Sequence, residues 1–337
     1  MQRTIYLDVL KILAIVAVVA IHSSAGLLYL YTSIPSLDWW TTNILHALSR
    51  WAVPVFIMAS GALLLKPNAQ EPASVFYKKR VARVAIPLVF WWLFYLFWVN
   101  KSNVVGMLSP SFLKHTLLYQ APQYHLYFLF IIAGLYVVTP LLRSIFSQLS
   151  PKNTIGLVAL FFAPFLTWWH RDFLYVLWIP FLFYYTAPKA LEYTQHLVKK
   201  TWLVATFLSA SLLILLLTSY RFFTNHWSPT YFYDYTNPIV AMQAISIFLL
   251  FQKKEPYFQS LSHGTQSMLS QLAGLTFGVY LISPFVQDMV WDWFKLSESF
   301  QVSTPTLLMH IVLSVIASFL LSFMISKTPF LKKTIGY

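Results

Sequence analysis

The stretch "YLDVLKILAIVAVVAIHSSAGLLYLY", Tyr6 to Tyr31, decides the class of this chain. It is long enough to cross a hydrocarbon core of roughly 30 Å as a helix, yet it carries Asp8, Lys11 and His22. Apolar runs of about 17 to 25 residues recur to the end of the sequence, each the length of a membrane span. Of the 337 residues 58% are hydrophobic and only 10% charged, whereas a soluble domain has about a quarter of its residues charged. An integral membrane protein is expected. The alternating ten-residue pattern of an outer-membrane barrel is absent.

The expected fold is therefore all-α, a polytopic bundle of about ten transmembrane helices. The spans are placed near residues 5–31, 42–65, 84–100, 125–147, 154–169, 173–188, 201–220, 236–252, 274–292 and 306–326. With the N-terminus in the cytoplasm, sixteen lysines and arginines collect on the cytoplasmic side of this arrangement and five on the other. By the positive-inside rule both termini are expected to be cytoplasmic. The first run reads as an uncleaved span rather than a signal peptide, because Asp8 and Lys11 sit near its start and no small-x-small cleavage site follows. No appended soluble domain is expected; residues 1–337 read as one transmembrane domain. Segments 101–123 and 253–274 mix apolar and polar residues as short interfacial helices do.

Composition also excludes several chemistries. The chain has no cysteine, hence no disulfide, zinc-thiolate site or thiol nucleophile. Its histidines lack nearby carboxylates at ligand spacing, so no metal is expected. The net charge of +13 comes from basic residues flanking apolar spans, which is a topology signal and not a nucleic-acid footprint.

Ionisable groups inside a span are costly and mark the place to look for function. Lys11 and His22 differ by eleven residues, so they lie about 20° apart around one helix and roughly 16 Å apart along it. Asp8, three residues before Lys11, can pair with it. His22 falls about 24 Å from the inner end of the helix, in the outer leaflet. In "SRWAVPVFIMASGALLL" Arg50 enters the second span, where it needs an anion, a carbonyl or a polar substrate; Pro54 can loosen that helix. The run "FYKKRVARVAIP" gathers Lys78, Lys79, Arg80 and Arg83 at the mouth of the third span, a cluster suited to lipid headgroups or ligand phosphates. His125 opens the fourth span on the same side as His22 and Arg50. These last three residues are the candidate catalytic group.

The order and spacing of these motifs resemble the acyltransferase-3 superfamily, membrane enzymes that acylate hydroxyls of surface polysaccharides and related glycans. The resemblance spans most of the chain. It rests on "RTIYLDVLKILAIVAVVAIH", "RWAVPVFIMASGALLL", "YKKRVARVAIPLVFW", "YHLYFLFIIAGLYVVTPLL" and "LTFGVYLISPF". It implies transfer of an acetyl or other acyl group from cytoplasmic acyl-CoA to a cell-surface glycan or its lipid-linked precursor. In that reading CoA phosphates sit among Arg3, Lys11, Lys78, Lys79, Arg80 and Arg83, with Asp8 positioning Lys11. His22 acts as general base, and Arg50 and His125 stabilise the thioester oxyanion or hold the glycan. Three positions depart from the family pattern: Lys11 stands where arginine is usual, Tyr127 where tryptophan is common, and Ser283 where histidine is frequent. A transporter of a glycan or polar solute, and an inactive sensor or scaffold with the same fold, are the competing classes. The acceptor's identity and the oligomeric state are not encoded in any motif.

Overall fold

A computed structural model describes residues 4–30, 32, 34, 36–66, 71–102, 106, 109–166, 178–224, 229–295 and 303–336. Among these every regular element is a helix. In chain order they are α1 (Ile5–Ser24), α2 (Ser36–Ser49), α3 (Ala52–Leu64), α4 (Ala73–Arg80), α5 (Ile86–Val99), α6 (Pro110–Leu118), α7 (Tyr127–Gln148), α8 (Pro151–Leu160), α9 (Leu182–Thr194), α10 (Lys200–Phe223), α11 (Pro238–Gln252), α12 (Glu255–Gln259), α13 (His263–Lys295) and α14 (Thr304–Lys327). A 3-10 stretch, Ala25–Leu30, extends α1, and a π-helical turn, Val81–Ala85, joins α4 to α5.

Seven helical stretches among the described residues are long and apolar enough to cross a membrane: Ile5–Leu30, Ser36–Leu64, Ala73–Val99, Tyr124–Gln148, Lys200–Phe223, His263–Lys295 and Thr304–Lys327. The chain is a multi-pass, all-α membrane protein. The other three expected spans correspond to shorter helices. α11 has 15 residues, about 22 Å of helix. The expected span 154–169 holds α8 and a short 3-10 turn, and 173–188 is described from residue 178 on, its last seven residues forming the start of α9; the His170–Asp172 break between them lies outside the described residues.

Helix starts follow local chemistry. Ser109, Ser150 and Asn237 each accept a hydrogen bond from a backbone amide two or three residues on, and each is followed by proline at the first helical position. Proline there loses nothing, because its missing N–H has no partner in a first turn. The expected interfacial segments become α6 and the pair formed by α12 and the first turns of α13.

The chain divides into two compact units, Met1–Ala59 with Thr194–Met324, and Ser60–Tyr193 with Ile325–Tyr337. In the first unit α1 is the centre, its buried residues Leu10, Ala14, Ile15, Val18 and Val19 packed among neighbouring helices. Both ends of this unit are pinned by carboxylates. Glu255 accepts from the Ile5 and Tyr6 amides at 3.0 and 2.7 Å, capping α1 from α12. Asp38 accepts from the Thr304 hydroxyl at 2.7 Å and from its amide, capping α14 from α2. Gln243 of α11 ties the interior together by donating to the Ala47 carbonyl and the Ser211 hydroxyl.

The second unit depends on close backbone packing. A Cβ at Gly61 of α3 would lie 1.8 Å from the Tyr185 carbonyl oxygen of α9. Trp91 donates to the Thr334 carbonyl at 2.8 Å, holding the C-terminal segment against α5. Gly61→Ala should therefore destabilise the purified protein by about 1–3 kcal/mol, read as a lower unfolding temperature in detergent. Gly156→Ala, on α8 with nothing within 4 Å, should leave that temperature unchanged or raise it. Equal behaviour of the two variants would contradict this packing.

Candidate functional site

Lys11 and His22 lie on one unbroken helix, as their spacing requires. Lys11 Nζ is 3.8 Å from Asp8 Oδ1, and the aspartate is the more buried partner. The pair reduces the cost of two charges inside an apolar helix. The first-turn amides of α1 are already taken by Glu255, so they are not open to a ligand anion. Arg3 lies outside the described residues.

The expected continuous span 42–65 is instead broken, with α2 ending at Ser49 and α3 starting at Ala52. Arg50 and Trp51 form the turn. Pro54 explains the position of the break, since it has no N–H to offer the Arg50 carbonyl four residues earlier. Freed from a regular helix, the half-buried Arg50 turns back on the bundle. Nη2 donates to Nδ1 of His46, one turn earlier, and Nη1 donates to the Tyr233 carbonyl at 3.5 Å. The guanidinium lies 4.3 Å from the Tyr233 ring centroid and 5.8 Å from that of Tyr235. Tyr233 is itself fixed by Asn43, whose amide donates to Ser219 at 2.8 Å. Burial raises the Tyr233 phenol well above its usual range, so it remains a neutral donor.

His22, His46 and Arg50 are close enough to feel one another electrostatically, and the Ile21 carbonyl lies beside the His46 ring. Arginine only donates, so the His46 Nδ1 that meets it must be an acceptor, and a neutral ring carries its proton on Nε2. His46 therefore orients Arg50 through one defined ring atom. Nearby, the Gln287 amide donates to the Val19 carbonyl and the Ser23 hydroxyl, fixing the end of α1 next to His22.

His125 belongs to the other unit. It is buried in the 3-10 turn Tyr124–Leu126, with its ring edge-on to Tyr95 at 4.9 Å. His22 and Arg50 thus fall within one unit, and His125 is described within the other.

The basic segment also lies in this second unit, and its four cations do not share one environment. Lys78 and Arg83 are exposed, whereas Arg80 turns inward, 5.2 Å from the Phe76 ring centroid and 5.5 Å from that of Tyr136. Lys79 pairs with Glu71 at 2.5 Å. The π-helical turn after Arg80 shifts the phase of the helix at this point. Arg143 of α7 approaches Phe76 from elsewhere in the unit, 4.7 Å from the ring centroid.

Ser283 is fully buried on α13, and its hydroxyl lies 3.4 Å from the Tyr280 carbonyl. Pro284 deprives that carbonyl of its helical donor, so the Ser283 hydroxyl serves it instead. Trp39 is buried and donates to the Leu28 carbonyl. Among the described residues no group of three or more metal-ligating side chains is present.

The family model described as an acyltransferase domain matches residues 4–327, nearly the whole chain. The chain belongs to the acyltransferase-3 family. Comparison with curated proteins and with solved structures returned no match. This family is one of membrane acyltransferases, and the spans above fit that class.

Two residues that contact Arg50 in this acyltransferase escape a reading by motif. His46 carries the signal of an ionisable group inside an expected span, four residues before Arg50. Tyr233 is separated from Arg50 by 183 positions and carries no local signal. Asparagine places an oxygen near the His46 Nδ1 position, whereas glutamine places its amide near Nε2. His46→Asn should keep acyl transfer close to wild type, and His46→Gln should lower kcat by roughly 10- to 100-fold, the loss of one hydrogen bond to a charged group. Matching rates for the two variants would remove Nδ1 from the account.

Proposed function

We propose that this chain is an acyl-CoA-dependent O-acyltransferase of the cytoplasmic membrane. It moves an acetyl group from cytoplasmic acetyl-CoA to a hydroxyl of a cell-surface glycan or its lipid-linked precursor. The observation that supports this reading is that His22, on a helix that also carries Lys11, is within electrostatic reach of Arg50 and His46, which are bonded to each other.

In this reading His22 takes the proton of the acceptor hydroxyl as its oxygen attacks the thioester carbonyl. Arg50, oriented by His46 and Tyr233, donates to the oxyanion that develops. Collapse breaks the C–S bond, the acyl group stays on the acceptor oxygen, and the CoA thiolate takes the proton from His22. Donor phosphates are held by basic residues, with Arg3, Lys11, Lys78, Lys79, Arg80 and Arg83 as candidates, and Asp8 positions Lys11. His125 is assigned to glycan binding. No metal is assigned a step.

The partly buried Arg50 bond to His46 disfavours the inactive-scaffold alternative, because holding a guanidinium this way has a cost that a site explains. A transporter would move solute without covalent transfer. Purified protein supplied with radiolabelled acetyl-CoA separates these readings. Wild type should transfer label to acceptor or slowly hydrolyse the thioester, and His22→Ala should be slower by about 10²- to 10⁴-fold. A folded alanine variant that turns over at the wild-type rate would remove His22 as the base.

A further inference from the structure

The second unit contains a carboxylate set among the cations assigned above to donor phosphate. Two guanidinium groups flank the fully buried Phe76 ring, Arg80 at 5.2 Å and Arg143 at 4.7 Å from its centroid. Arg143 is anchored by its Nε, which donates to the Leu64 carbonyl at 2.6 Å at the end of α3. Arg80 is also 5.5 Å from the Tyr136 ring centroid, and the Tyr136 hydroxyl lies near Arg80 and Ser60. Neither guanidinium can shed its charge.

Glu71 reaches into this group. Its Oε1 lies 2.5 Å from Lys79 Nζ, and its side chain is only 20% exposed. The Lys79 hydrogen bond, with the charges of Lys79, Arg80 and Arg143, holds the Glu71 carboxyl below the usual carboxylate range. One carboxylate is thus paired with Lys79 and within electrostatic reach of two further cations, Arg80 and Arg143. This leaves net positive charge, which a more highly charged anion would match better.

We propose that Glu71 is a built-in competitor for the phosphates of the acyl donor, occupying the anion position among Lys79, Arg80 and Arg143 until donor binding displaces it. The proposal rests on the reading of the Lys78–Arg83 segment as part of the donor site, and it adds Arg143 to that site. A phosphate brings up to two charges and three acceptor oxygens against the single charge of Glu71. It also suits the forked donors of two arginines. Displacement of a side-chain carboxylate leaves the backbone of α4 in place, so the exchange needs no rearrangement of the helix.

The test is acetyl-CoA binding to the full-length protein in nanodiscs of neutral lipid, where anionic headgroups do not compete. Glu71→Gln removes the charge, and Glu71→Asp keeps it but withdraws it by one methylene. Both variants should bind acetyl-CoA about two- to fivefold more tightly than wild type, the scale of a partly exposed ion pair. Unchanged or weaker binding by Glu71→Gln overturns the proposal. Tightening by Gln but not by Asp also overturns it, because bulk charge would then account for the effect. Arg80→Gln separates this outcome from failure of the underlying reading. If it leaves acetyl-CoA affinity unchanged, the cluster is not the donor site. If it weakens binding while Glu71→Gln does not tighten it, the donor site stands and the competitor role falls. Adding anionic phosphatidylglycerol to the nanodiscs identifies the other source of phosphate. A Glu71→Gln effect that appears only there assigns the position to lipid headgroups and overturns the donor role.

Discussion

A guanidinium keeps its charge wherever the chain places it, so an arginine within a membrane helix must be given partners by the fold. Arg50 is that constraint in the first unit. Its partners are the His46 ring nitrogen, the Tyr233 carbonyl and the faces of Tyr233 and Tyr235. Meeting them requires the break between α2 and α3, and it requires Tyr233 to be held by Asn43 and Asn43 by Ser219. The result is a charged donor fixed in direction before any ligand arrives. Such preorganisation is what stabilises charge developing in a transition state.

The second unit meets a similar constraint by different means. Arg80 and Arg143 share the Phe76 ring, and Glu71 and Lys79 offset part of the charge. The close contact of Gly61 with the Tyr185 backbone, and the Arg143 bond to the Leu64 carbonyl, bring α3, α7 and α9 together behind that cluster. Electrostatics and packing are coupled here, because the last turn of α3 that holds Gly61 against α9 also presents the Leu64 carbonyl that anchors Arg143.

Much of this was legible in the sequence wherever a feature is local. Membrane spans follow from run length and hydropathy, and the shared face of Lys11 and His22 follows from helical periodicity on one element. The family assignment came from the order of short motifs. The consequence of Pro54 was less legible. Pro54 predicts a loosened helix, but a full turn at Arg50 depends also on a partner distant in sequence, the Tyr233 carbonyl. Arg143 counted only as a topology charge, and its place beside Phe76 depends on how α7 packs within its unit. His125 shares an expected membrane side with His22 and Arg50, and what its local contacts add is an aromatic partner, Tyr95, that no sequence spacing announces. Depth along a span is written in sequence, but azimuth relative to other spans is not.

The central claim is that His22 and Arg50 act on one transition state. A double-mutant cycle on kcat/KM for acyl transfer tests it most directly, using His22→Ala, Arg50→Ala and the double variant in protein shown to be folded. Residues that work as a unit give non-additive losses, so Arg50→Ala should cost little further activity once His22 is gone. Losses that simply add in free energy would contradict a shared site and return Arg50 to a structural role.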